Sequence, residues 1–368
     1  MQLIDSVPNQ LSTSAPNSIL NSLQDIAQKV EIKSNFCISH PDYPSFELPT
    51  EALERFLGMP LDLQNKYLSL QLQRFLYSFY YNGSIQGTLA EELPIQQNLE
   101  NNTFFGVDLQ FYERLHKSNS GDGYFDPGWQ VLHQDDDSLA VTRGGLTLHI
   151  EREKHLQLAE QGATIGEEVA IRMPRNLIQN GFYMAVGNAG SDNRHNQDNN
   201  SEIVRVYFNL SPEGAVAVMA SLTRQLNEIS VPFSFKVLYN PSDYGRYDSG
   251  VLYFERSNYQ AVRQVLESVY IKNQFHFRKD IPLFTKLLAP GLSLAEEPNS
   301  KFADVESFGT NRCQIVANAL LEARATGDES IDSRMACIHK HFSLLGIDLL
   351  KPYLNANSQD TYTTLDLC

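Results

Sequence analysis

Residues 203–254 constrain the fold of this chain more tightly than any other stretch: they read as strand, helix, strand, irregular turn and strand. In the first strand Val204, Val206, Phe208 and Leu210 fall on one side, and Arg205, Tyr207 and Asn209 on the other. A period of two with one apolar side marks a half-buried strand. Its Arg-x-Tyr-x-Asn side therefore lies away from the core or lines a cleft. Ser211, Pro212 and Glu213 then supply a helix cap, a proline at the first helical position and an acid in the first turn. The second strand, 232–239, sets Phe233, Phe235, Val237 and Tyr239 against Ser234, Lys236 and Leu238. After the Asn240-Pro241 turn signal come Arg246-Tyr247-Asp248 and a third strand at 249–254. If the three strands are neighbours, Arg205, Tyr207, Lys236 and Arg246 share one surface. That surface is either a solvated sheet face or a cationic patch.

A cationic patch would be local, because 29 Lys and Arg against 44 Asp and Glu leave a formal charge of −15. Such a surface disfavours non-specific binding to nucleic acid or to an anionic membrane, yet it permits a pocket for a phosphorylated ligand. With 368 residues, 42% of them hydrophobic, the chain can form one large or two moderate domains. Cys37, Cys313, Cys337 and Cys368 are widely spaced, which fits reduced thiols in the cytoplasm better than disulfides or a zinc site. No signal sequence opens the chain and no apolar run reaches spanning length, so a soluble cytoplasmic protein without membrane contact is expected.

Before the central stretch, helical spacing covers 19–32 and resumes over 51–81, with a Pro- and His-containing loop at 37–49 and another at 87–102. The first 18 residues are polar and read as frayed. We place a mainly helical N-terminal region at 1–104 and an α+β domain at 105–368, whose antiparallel or mixed central sheet is flanked by helices. In the latter, 109–117 reads as a helix and 118–132 as a turn pinned by Trp129. A hairpin follows at 138–150, with Arg143 at its tip and His149 on its second strand. Further strands are expected at 168–173 and 180–186, and a polar loop at 187–202 carries His195 as loop decoration. Beyond the centre, 257–270, 306–323 and 331–345 read as helices, and 282–298 as an ordered loop or short strand.

His339 and His341 are two residues apart, the wrong spacing for one helical face. No metal motif, phosphate loop, dinucleotide fingerprint or nucleophile elbow is present, so neither metal nor cofactor is expected. What remains is the Arg/Lys/Tyr face. Arg205, Arg246 and Arg312 could grip a dianionic phosphate, since guanidinium forks match its oxygens. A lysine desolvated among cations loses basicity and can serve as a general base. Arg312 could equally pair with Glu296, Glu297 or Glu306, and Tyr207 and Tyr183 could simply pack at a sheet edge.

Three separated motifs, GYFDPGW, VRVYFNLSPEGA…PFSFKVLYNPSDYGRYDSGVLYF and PLFTKLLAPGLSLAEEP…ESFGTNRC, together resemble the Hop-A-type family of type III effector domains, over roughly 105–354. Standalone relatives of that family serve class V lanthipeptide and thioviridamide-like biosynthesis. The resemblance implies a phospho-Ser/Thr lyase that acts on a precursor peptide phosphorylated by a separate kinase-like protein. β-Elimination of phosphate would leave dehydroalanine or dehydrobutyrine. In that chemistry Lys236 would be the base, Arg205 and Arg246 the phosphate clamp with Arg312 and Arg143 in support, and Tyr207 or Tyr183 the proton donor, with His149 in reserve. The alternative is a non-catalytic effector-like protein that binds a partner.

Overall fold

The computed structural model describes residues 16–84, 103–104, 106–191, 202–304 and 306–367. The expectations for the first 15 residues, the 87–102 loop, positions 192–201 with His195, and Cys368 lie outside them. The opening amphipathic pattern becomes α1 (Pro16–Lys29), which buries Leu23, Ile26 and Ala27. Next come β1 (Glu31–Ser34), β2 (Cys37–His40) and β3 (Tyr43–Glu47), an antiparallel sheet in that order. Reading 37–49 as a loop is thus corrected. Strands this short show little alternation, and Pro44 is tolerated because β3 is an edge strand of this sheet. The helical reading of 51–81 resolves into α2 (Thr50–Leu57), α3 (Leu61–Leu76) and a π-helical turn, Tyr77–Tyr81.

Two short paired strands, β4 (Thr103–Phe104) and β5 (Val107–Asp108), precede α4 (Leu109–Ser118). The Asp108 carboxylate caps α4 by accepting from the Phe111 amide at 2.9 Å. Then follow β6 (Tyr124–Gln134), β7 (Ser138–Arg143), β8 (Leu146–Glu151), the short α5 (Arg152–His155) and β9 (Glu168–Met173). These four strands form a sheet in the order β8-β7-β6-β9 around a small core that includes Trp129, Val131, Val141 and Ile171. Trp129 sits inside β6 rather than in a turn. The Asp-Pro-Gly signal is absorbed as a register shift between Asp126 and Trp129, with Gly128 at a φ of 85°.

The largest sheet gathers β10 (Asn176–Gln179), β11 (Phe182–Val186), β12 (Ile203–Phe208), β13 (Ser234–Leu238), β14 (Gly250–Glu255), β15 (Lys286–Ala289) and β16 (Leu292–Glu296). Their order is β10-β11-β13-β14-β12-β16-β15, and the pairings from β10 through to β16 are antiparallel. Helix α6 (Pro212–Glu228) joins β12 to β13, and the Ser211 hydroxyl caps it as expected, accepting from the Gly214 amide at 3.1 Å. Helix α7 (Tyr259–Asn273) follows β14. Residues 282–298 prove to be two strands joined at Pro290-Gly291. Gly291 has a φ of 76°, and a Cβ there would fall 1.9 Å from the Arg278 carbonyl oxygen. The chain continues with α8 (Phe308–Thr326), stopped by the left-handed Gly327, and α9 (Ile331–Leu344).

The expected α+β class is therefore observed. The compact units interleave along the sequence, so a single cut near residue 104 does not coincide with them. One comprises Met1–Gln86, Pro282–Leu287 and Pro298–Tyr362, and the other Gly87–Ile281, Leu288–Glu297 and Thr363–Cys368. In the first, α8 packs on α3 and α9, and α1 packs on α9. Arg334 of α9 donates to the carbonyls of Ala27 and Val30, at 3.0 and 2.7 Å, closing the end of α1. In the second unit one face of the large sheet is apolar: Val204, Val206, Phe208, Phe235, Val237, Leu252, Phe254 and Leu294 are all fully buried. Each such side chain contributes about 1.5–3 kcal/mol of transfer free energy.

Candidate functional site

The opposite face of the large sheet carries the polar chemistry, and strand register determines its members. Lys236 pairs directly with Met184 and Val251, Val251 with Tyr207, and Tyr207 with Ser293. Tyr253 pairs with both Ser234 and Arg205. Directly opposed residues of antiparallel strands point to the same side. Phe182, Lys236, Tyr253, Arg205 and Tyr207 therefore share one face. It is not a solvated sheet face, because all six positions of β12 are buried, Arg205 at 7% exposure and Tyr207 at 3%.

Lys236 keeps partial exposure, and its Nζ lies 4.5 Å from the centre of the Phe182 ring and 5.5 Å from that of Tyr253. No carboxylate among the described residues pairs with it. Two aromatic faces thus hold the ammonium where an acid would ordinarily stand. Arg205 is ion-paired with Glu297, and its guanidinium lies 5.2 Å from the Tyr253 ring centre. Burial opposes the arginine's charge, but the Tyr253 and Tyr207 phenols and the Glu297 carboxylate hold its pKa well above the ordinary value. Tyr253 consequently lies between two cations.

The other sequence candidates sit elsewhere. Arg246 lies in the loop before β14 and makes a two-point pair with Asp248, Nε to Oδ1 at 2.5 Å and Nη2 to Oδ2 at 2.8 Å. Arg312 belongs to the other compact unit, where it donates to the carbonyls of Pro352 and Leu354 at 2.8 and 3.1 Å and to Asn311 Oδ1 at 2.6 Å. Arg143 is in the four-stranded sheet, clasped by Asp126 and the Pro127 carbonyl and stacked 4.8 Å from the Trp129 ring centre. His149 is exposed on β8 of that same sheet, opposite Ala140. Tyr183 is on the large sheet but on its apolar face. Its hydroxyl accepts from Asn119 and hydrogen-bonds His116 Nδ1, each at 3.1 Å, and burial pushes its pKa up to about 12.

Register thus unites Lys236, Arg205 and Tyr207 and places Tyr183 on the far side. It adds three residues that sequence reasoning missed: Tyr253, Phe182 and Glu297. The period-two pattern of β14 puts Tyr253 on the polar side, but only the pairing of β14 with both β12 and β13 shows that it stands between the cations. Glu297 lies just beyond β16, in a stretch without sequence periodicity, and carries no local signal.

These features define an α+β protein with a buried, cation-bearing face on an antiparallel sheet. Residues 173–354 match the HopA1 effector protein family. Two solved structures are similar, the effector proteins of Pseudomonas syringae pv. tomato strain DC3000 and of Pseudomonas syringae pv. syringae strain 61. They share 15% and 16% identity with this chain, with TM-scores of 0.45 and 0.44, over 93% of its length and 99% of theirs. No curated protein matches the chain. Among the described residues no helix is long and apolar enough to cross a membrane.

Proposed function

We propose that this protein is a phospho-Ser/Thr lyase, acting on a precursor peptide that a separate kinase-like protein has phosphorylated. The observation that carries this reading is Lys236. It is a partly exposed cation over the Tyr253 ring, on the sheet face that also carries the buried Arg205 and Tyr207, and no described carboxylate neutralises it. β-Elimination needs a base for the Cα proton, cations for the phosphate and a proton for the departing oxygen, and this face carries all three group types. Lys236 removes the proton, and Arg205 would hold the phosphate by exchanging its Glu297 partner for the substrate's oxygens. Arg246 would join the clamp only by leaving Asp248.

The test is mass spectrometry of a phosphothreonine peptide incubated with the protein, repeated with a kinase-like protein and a precursor peptide that it phosphorylates. Loss of phosphoric acid that Lys236→Ala abolishes supports the lyase. A phosphopeptide that persists in both settings overturns it.

A second reading has its own observation. Arg205, Arg246 and Arg143 all already hold carboxylates, and Arg312 holds main-chain carbonyls. An effector-like protein that binds a partner without chemistry would have the same internally satisfied arginines. Binding of the kinase or precursor with no elimination would favour it.

A further inference from the structure

We propose that Tyr253, rather than Tyr207 or Tyr183, is the proton donor to the leaving group. The inference rests on the lyase reading above and identifies a catalytic residue within the same face. Tyr183 is removed from consideration by its side of the sheet and by the hydrogen bonds of its hydroxyl to Asn119 and His116. Tyr207 lies directly across from Lys236 but two strands away, with Val251 between them. Tyr253 is on β14, the strand adjacent to Lys236, and pairs directly with Arg205. Its ring is the one surface that both cations share, 5.5 Å from the lysine nitrogen and 5.2 Å from the guanidinium carbon.

That placement suits a general acid. At 2% exposure, Tyr253 has little water to screen the two positive charges beside it. Cations on both flanks favour the phenolate that remains once the proton is given up. Lys236, partly exposed, marks the side from which the phosphoryl group arrives.

The step balances without any co-reactant. The Lys236 ammonium first gives a proton to water, the free amine then takes the Cα proton, and the released electron pair forms the Cα–Cβ double bond. The Cβ–O bond breaks, and its electrons stay on the phosphate oxygen, which takes the Tyr253 proton as it leaves. Lysine ammonium and tyrosine phenolate remain, and the phenolate takes back from water the proton that the lysine gave up. Without the donor, a phosphate monoester dianion would have to leave as the strongly basic trianion.

Tyr253→Phe keeps the ring and its contacts with both cations and deletes only the hydroxyl. We compare it with the wild-type chain on a phosphoserine peptide and on the matching O-sulfoserine peptide, whose sulfate leaves without needing a proton. The expected result is a fall of about 100-fold or more in phosphate elimination, with KM changed less than about threefold and sulfate elimination near the wild-type rate. Tyr207→Phe should cost far less. The assignment is overturned if Tyr253→Phe eliminates phosphate at the wild-type rate, or if both leaving groups slow by the same factor. A wild-type chain that leaves the phosphopeptide intact overturns the lyase reading itself, and this assignment with it.

Discussion

Each compact unit contains a polar cluster against aromatic rings, and the two clusters are built on opposite principles. In the first unit His40, Tyr80, Asp25, Lys29 and Asp42 form a closed relay. The Asp42 amide donates to His40 Nδ1 at 3.1 Å, so Nε2 carries the proton and donates to the Tyr80 oxygen at 2.7 Å. Tyr80 donates in turn to Asp25 at 2.9 Å, and Lys29 pairs with both Asp25 and Asp42, at 2.8 and 2.9 Å. Every charge there faces an opposite charge. On the large sheet of the second unit, Lys236 faces Phe182 and Tyr253 in place of an acid. A closed network gives a defined local structure. A lysine held without a carboxylate is left available to a ligand, which is why the proposed function falls on the second cluster.

The sharpest way to break this contrast is to remove Lys236. Lys236→Ala should lower phosphate elimination at least about 100-fold. It should change stability by no more than about 1 kcal/mol, because no partner charge is left stranded. Peptide mass spectrometry and urea titration check the two halves. A large loss of stability would show that the lysine is structural and not an available cation. Glu297→Ala is the complementary change on the same face. It strands a buried guanidinium, so about 3–5 kcal/mol of stability should be lost, read as a lower urea midpoint. An unchanged midpoint would mean that Arg205 does not depend on this pair.

The contrast was only partly legible in the sequence. Alternation in 203–208 and 234–238 gave the strands and their polar sides, because a period of two needs no tertiary knowledge. That the two polar sides belong to one buried face depends on β14 lying between β12 and β13, a pairing no local pattern encodes. Tyr183 shows the cost of that gap. A tyrosine in a strand reads the same whether it faces the site or, as here, the helix carrying Tyr112 and His116. The β1-β2-β3 sheet was missed because strands of four or five residues, one with Pro44, lack a recognisable period. The His40 relay escaped altogether: its members come from a helix, the end of β2, the turn after it and a π-helical turn, at positions 25 to 80.

Smaller effects test the closed relay. Tyr80→Phe deletes its central hydroxyl and leaves the His40 Nε2–H and the Asp25 carboxylate without each other's intermediary. Loss of about 1–2 kcal/mol is expected in urea titration. No change would mean that water takes over the role of the hydroxyl.

The smallest effect is the pH response of His40. Burial lowers its pKa below the ordinary 6.5, outweighing Asp42 and Asp25, which favour the imidazolium, while Lys29 disfavours it. The geometry agrees with that direction: Nδ1 accepts the Asp42 amide proton, and the ring's second proton, placed on that nitrogen, would confront the N–H. A histidine whose folded pKa is depressed is held neutral by the native state, so as pH falls the unfolded chain gains its proton first. The contribution is therefore present in full above the ordinary value and declines as pH drops below about 6.5. Thermal melts at pH 7.5 and 5.5 should show a larger drop for the wild-type chain than for His40→Gln, which cannot titrate. Equal drops in the two proteins would mean that the imidazole of His40 is no more reluctant to charge than one in water, and the relay would lose its claim to be closed.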